Sequence, residues 1–214
     1  MAPTALLIYL TWLILAFGVR TWLQWRRTGD TGFRGANLPR GSAQWWARLM
    51  FGAALLAGAA GPVAELSGLA AADALDTPAV RGTGLALALL GALATLAAQR
   101  SMGASWRVGV NESERTALVT TGPFALVRNP VFTAMMITAV GLAAMVPNAV
   151  SLAALLLTVA AIEVQVRVVE EPYLLRTHGE TYERYAAAVG RFLPVVGRLG
   201  PRDARRPGRE RART

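Results

Sequence analysis

The chain has 214 residues, 54% of them hydrophobic and only 16% charged, which leaves too few polar side chains for a water-soluble domain of this size. With no cysteine and a single histidine, His178, it offers no disulfide, no thiolate metal site and no zinc or haem constellation, so no metal is expected. All 22 basic residues are arginine and the net charge is +9; the expected fold class is an all-α integral membrane protein.

A bilayer core of about 30 Å takes around 20 apolar helical residues, and five stretches are candidates. The first is 4–25, whose positive charges, Arg20, Arg26 and Arg27, follow its apolar run rather than precede it, the reverse of a secretory signal, so it reads as a retained anchor. The second and third are 45–66 and 80–100. They carry small residues at four-residue spacing, Ala53, Ala57, Gly61 and Gly84, Ala88, Ala92, which predicts close helix packing; a dimer interface is the alternative. The fourth and fifth, 130–146 and 147–169, are marginally short and separated only by Pro147 and Asn148, a tight helical hairpin.

Orientation follows from the arginines. The first loop carries Arg26, Arg27, Arg34 and Arg40, the next three acids and one arginine, and the loop after the third span Arg100, Arg107, Arg115 and Arg128. Positive charge stays inside, so the N-terminus is expected outside and the C-terminus in the cytoplasm. The exclusive use of arginine hints at a GC-rich bacterial genome and hence an inner or plasma membrane.

The stretch "TGPFALVRNP", 121–130, places two prolines, a glycine and Arg128 at the lip of the fourth span. Gly122 permits a tight turn, and Pro130 opens the next helix at its first turn, leaving backbone NH groups toward the loop. The alternative is a rigid connector whose Arg128 marks the cytoplasmic edge. The fifth span ends "AIEVQVRVVEEPYLL", where Glu163, Arg167 and Glu171 stand at i, i+4 and i+8 and form one charged stripe, with Glu170 about a hundred degrees away. Charges so close to a span face a cavity or partner, or merely snorkel to headgroups. Upstream, Trp106 and Arg107 are placed at the interface, Asn111 with Glu114 forms a capping pair or a polar turn, and this segment is read as the floor of a pocket. Downstream, "HGETYERYAAAVGRFLP" is a cytoplasmic helix in which Tyr182 and Tyr185 pack against the hairpin and His178 is exposed.

The ordered set "TALVTTGPFALVRNPVF", hairpin, "RVVEE" and "HGETYERYAAAVGRFLP" resembles the isoprenylcysteine carboxyl methyltransferase family and its phospholipid methyltransferase relatives, over about the last hundred residues before the tail. The resemblance implies a multi-span methyltransferase that uses S-adenosyl-L-methionine without a Rossmann domain. By its pattern the cofactor is lined by Thr116, Ala117, Leu118, Val119, Phe124, Asn129, Pro130, Val131, Phe132 and Glu171. Arg167 matches the family's substrate-contacting arginine, and Arg167 and Glu171 are the catalytic candidates. Two departures stand out. Asn129 replaces the usual histidine, which removes any imidazole role, and Phe132 replaces a common tyrosine and lacks its hydroxyl.

A carboxylate acceptor, oriented by Arg167, needs no strong base; an amine or thiol must lose a proton, for which Glu163 or Glu170 are candidates. The expected function is methyl transfer to a lipophilic acceptor, with a carboxylate first. Alternatives are phospholipid or amine N-methylation, an NADPH-dependent sterol-type reductase, which ordinarily has more spans, and a non-catalytic scaffold. One transmembrane methyltransferase domain is expected over 1–197 and a disordered cytoplasmic tail over 198–214. That tail holds seven arginines against two acids and no aromatic residue for stacking, so its expected partner is anionic lipid rather than nucleic acid.

Overall fold

The computed structural model describes residues 1–34, 38–109 and 117–200. Four helices are long and apolar enough to cross a membrane: α1 (Ala2–Thr28), α2 (Ala43–Leu66), α3 (Pro78–Ser101) and α5 (Ala149–His178). A shorter apolar helix, α4 (Pro130–Met145), precedes α5, and α6 (Glu180–Ala188) follows it. Among the described residues the extended structure consists of two isolated parallel bridges, Phe33 with Val108 and Val127 with Gly190. The protein is thus an all-helical integral membrane protein, as its composition requires.

The α4–α5 hairpin turns where expected. Pro147 cannot continue α4, and the Asn148 side chain accepts from the Ser151 backbone NH at 2.9 Å as the cap of α5. Asn148 Nδ2 also donates to the Gly61 carbonyl at 3.0 Å, tying the turn to α2. At the same end Arg81 donates to the Met145 carbonyl at 3.0 Å and pairs with Glu65 at 3.2 Å, and the N-terminal amine lies 3.9 Å from Glu65. The N-terminus and the hairpin turn therefore share one end, and the loops 29–34, 101–109 and 117–130 share the other.

The closest helix pair is α3 with α4. A Cβ on Gly84 would lie 2.7 Å from the Gly141 carbonyl oxygen, and one on Gly91 2.5 Å from the Thr138 nitrogen, so the backbones meet through small residues because lipid supplies no hydrophobic drive for bulkier ones. The seam runs through Gly84, Ala88 and Gly91, not Ala92. On α2 the expected ridge holds only at its far end: Ala53 is exposed, whereas Gly61 is buried and a Cβ there would run into Ser151 Oγ. Between them the helix breaks at Gly58 and Ala59. The Leu55 carbonyl at that break accepts from the Tyr9 hydroxyl, and Gly58 leaves room for the ring, since a Cβ there would stand 2.7 Å from it.

Two helices contain π-helical turns, Ile14–Val19 in α1 and Gln165–Glu170 in α5. The first is braced by Gln99 Nε2, which donates to the Ala16 carbonyl at 3.0 Å. The second decides which charges face inward.

Candidate functional site

At the end away from the hairpin turn, α2, the loops 103–109 and 117–130, the start of α4, the end of α5 and α6 enclose a cavity of about 430 Å³. Its wall is assembled from the loop upward. Gly122 has φ +61°, in the left-handed region that glycine enters without strain. The Gly122–Ala125 turn then buries Phe124, and Pro130 takes the first helical position of α4. The backbone NH groups of Arg128 and Asn129, just before that first turn, are paired. They donate to the carbonyls of Gly190 (2.8 Å) and Arg191 (3.1 Å).

Arg128 is not a mere marker of the membrane edge. Its side chain is 1% exposed, with Nη1 donating to the Ala186 and Val189 carbonyls at 2.9 and 2.6 Å. Nη2 donates to Glu171 Oε1 at 2.6 Å and to the Gly197 carbonyl at 3.0 Å. Glu171 is also held by Arg191, through Nε and Nη2, each at 2.8 Å; that hydrogen bonding holds the Arg191 guanidinium above its ordinary pKa. A buried carboxylate between two arginines is charge-compensated, and it staples the C-terminal segment to the loop.

The sequence-derived candidates distribute as follows. Ala117, Leu118, Val119, Phe124, Asn129, Pro130, Val131 and Phe132 all line the cavity. Thr116, Asn111 and Glu114 lie outside the described residues, as does the tail from 201. Glu171 lies beneath the wall, on Arg128, which does line it. Arg167 is not on the wall: its side chain is 56% exposed and paired with Glu163. The single charged stripe therefore splits. A π-helical turn holds more than four residues, so Arg167 and Glu171 cease to stack, and it is Glu170 that lines the cavity, accepting from Gln165 Nε2 at 3.0 Å.

Three further features were misread or missed. His178, expected to be exposed, is half-buried and lines the cavity. Trp106, expected at the interface, is 2% exposed; it lines the cavity, meets Phe33 edge-on at 6.4 Å and carries Arg20 over its ring at 4.8 Å. Tyr182 and Tyr185 reach the same cavity, and the Tyr185 hydroxyl donates to the Phe124 carbonyl at 2.6 Å. Burial pushes the Tyr185 phenol up to about 12 and raises that of Tyr182 further. Among the described residues the charged side chains on the wall are Arg34, Arg48, Arg107, Arg128 and Glu170. Asp30, paired with Arg34 and 3.7 Å from Arg107, is held below the usual carboxylate range, chiefly by the Arg34 hydrogen bond.

No curated protein and no solved structure matches the chain. The model of the phospholipid methyltransferase family matches residues 80–181, just under half of the chain. That stretch runs from α3 through the loop and the hairpin into the start of α6, so it contains the cavity's Phe124, Asn129, Glu170 and His178 but neither α1 nor α2. Over these residues the chain is similar to the phospholipid methyltransferase family.

Proposed function

We propose that the protein transfers a methyl group from S-adenosyl-L-methionine to a lipophilic carboxylic acid bound in this cavity. The observation that carries the reading is the composition of the wall: four arginines against one carboxylate among the described residues, set in aromatic and aliphatic side chains at the end of a membrane-spanning bundle. With Asp30 behind Arg34 and Arg107 and Glu171 behind Arg128 counted beside Glu170, the four wall arginines still outnumber three acids; that excess favours an anionic acceptor, and the apolar remainder favours a hydrocarbon tail.

The cavity volume lies within the range of small-molecule sites, and the residues fit the cofactor's chemistry. Phe124 and Phe132 offer ring faces, Asn129 offers an amide, and Glu170 offers a negative charge on the same wall. When bound, S-adenosylmethionine supplies an electrophilic methyl group on a positively charged sulfur. The protein's own contribution is to align the acceptor oxygen and exclude water. Glu171 acts at one remove, by holding Arg128 on the wall. Arg167 stays a candidate for contacting the acceptor on the family resemblance alone, because its side chain is exposed beside Glu163 and off the wall. The N-terminus is placed outside and the cavity end in the cytoplasm, following the arginine bias of the loops.

A second reading, N-methylation of an amine headgroup, is favoured by one observation. Glu170, a group able to take the proton an amine must lose, is on the wall, whereas Glu163 is not. Purified protein in lipid, given tritiated methyl donor and a lipid extract, separates these. Base-labile label marks a methyl ester and supports the first reading; base-stable label on an amine headgroup selects the second. Binding of NADPH but not of S-adenosylmethionine would replace both with a reductase, and binding of neither would leave a scaffold.

A further inference from the structure

A second, smaller pocket of about 50 Å³ lies deeper between the spans. It adjoins the cavity: Phe51, Leu55 and Met135 line both. From these shared residues it runs between α2, α4 and α5 past Ala54, Leu142 and Leu155, and α1 contributes Tyr9 and Trp12 to its wall. Tyr9 is held in place by its hydrogen bond to the Leu55 carbonyl at the break in α2.

We propose that this pocket seats the far end of a single hydrocarbon tail of the acceptor, and that α1 and α2, which lie outside the matched family segment, thereby set the tail length the protein accepts. The inference rests on reading the larger cavity as the methyl-transfer site. Its wall is mostly aliphatic and aromatic: Thr138 and Thr158 spend their hydroxyls on the carbonyls four residues back, Ala134 and Ala154, at 2.9 and 2.8 Å, while Ser151 Oγ and Trp12 Nε1 are the buried polar atoms on it without a hydrogen-bond partner. The small volume admits the end of one chain and not two, which favours a single-tailed acid over a diacyl phospholipid.

The geometry also gives a length. Arg48 on the cavity wall and Gly58 at the pocket are ten residues apart on α2, about 15 Å of helix rise and the reach of roughly a dozen methylenes. On α4, Pro130 and Leu142 are twelve residues apart, about 18 Å. A carboxylate among the arginines thus places a tail of that length with its end at Tyr9 and Trp12.

The test is photo-crosslinking of the full chain in lipid nanodiscs with straight-chain fatty acids carrying a terminal diazirine, in a series of increasing length, followed by peptide mapping. Acids near the stated length should label the peptides of Tyr9 to Trp12 and of Leu55 to Gly58, and shorter ones those of Phe51 and Met135. Ala54→Leu fills the pocket and should reduce the deep label roughly tenfold while sparing the shallow one. Leu155→Ala, an independent variant that enlarges it, should shift the optimum to longer acids. Label spread evenly over lipid-facing residues, a deep label unchanged in Ala54→Leu with no shift in Leu155→Ala, or equal deep labelling by a diacyl phosphatidylethanolamine probe would each overturn the proposal. Because the readout is binding, a deep label without methylation of the same acids would refute the proposed activity and leave the pocket assignment standing.

Discussion

Arg191 grips Glu171 with both prongs of its guanidinium, Nε to Oε1 and Nη2 to Oε2, each at 2.8 Å, while Arg128 takes Oε1 from the other side. The pair joins the end of α5 to the segment beyond α6, and through Arg128 to the loop that opens α4. It explains why a carboxylate is tolerated at the end of a span: both of its oxygens are matched by charge-assisted donors.

Glu171→Gln leaves the buried Arg128 and the half-buried Arg191 without their carboxylate, so it should cost on the order of 3 kcal/mol. Partial proteolysis should cleave beyond α6 sooner than in the parent. If Glu171 shapes the cofactor site through Arg128, the dissociation constant for S-adenosylmethionine, titrated into the folded fraction, should rise as well. Unchanged proteolysis and unchanged binding together would remove Glu171 from both roles.

Arg167→Lys tests the opposite arrangement. Its pair with Glu163 is exposed, so stability should change by less than about 1 kcal/mol. If Arg167 engages the acceptor, single-turnover methylation should fall while cofactor binding holds. Equal turnover in mutant and parent would assign Arg167 to the helix surface alone.

Gly91→Leu should separate α3 from α4. Even a Cβ would meet the Thr138 nitrogen at 2.5 Å, and overpacking of this kind costs roughly 1–3 kcal/mol or more. Thermal unfolding in detergent should show a lower midpoint, whereas Leu substitution at Gly82, which has open space around it, should leave the midpoint nearly unchanged.

The Tyr185 phenol, raised by burial from 10.0 to about 12, sets an alkaline limit. Its folded pKa exceeds the unfolded one, so its contribution is complete below pH 10 and is lost as pH rises through about 12. Tyr185→Phe should flatten that part of the stability profile. It should also cost about 1 kcal/mol at neutral pH for the lost bond to the Phe124 carbonyl. A spectroscopic titration of tyrosinate in parent and mutant checks the assignment.

The arginine bias predicts a fluorescent C-terminal fusion and an extracytoplasmic N-terminal reporter. The N-terminus and the cavity lie at opposite ends of the bundle. A cytoplasmic N-terminus would invert the placement of the cavity.

Much of the architecture was legible in the chain itself. Apolar runs bounded by arginines, Pro147 and Asn148 at the hairpin, and Pro130 at the start of α4 are local signals, and each acts through the residue's own backbone or its partition into lipid. The loop candidates at 117–119, 124 and 129–132 share a wall because they are close in sequence. What only the tertiary structure decided concerns facing and partners. The π-helical turn at Gln165–Glu170 rotates Glu170 onto the cavity and Glu171 onto Arg128, and a ladder shift of this kind has no side-chain period to announce it. Arg128 finds Glu171 across 43 residues and the Gly197 carbonyl across 69. Tyr9 finds the Leu55 carbonyl across 46, because a break in one helix exposes an acceptor that only a neighbouring helix can fill. Those distances in sequence carry no local preference, so the site's charges and its deep pocket exist only once the spans are packed.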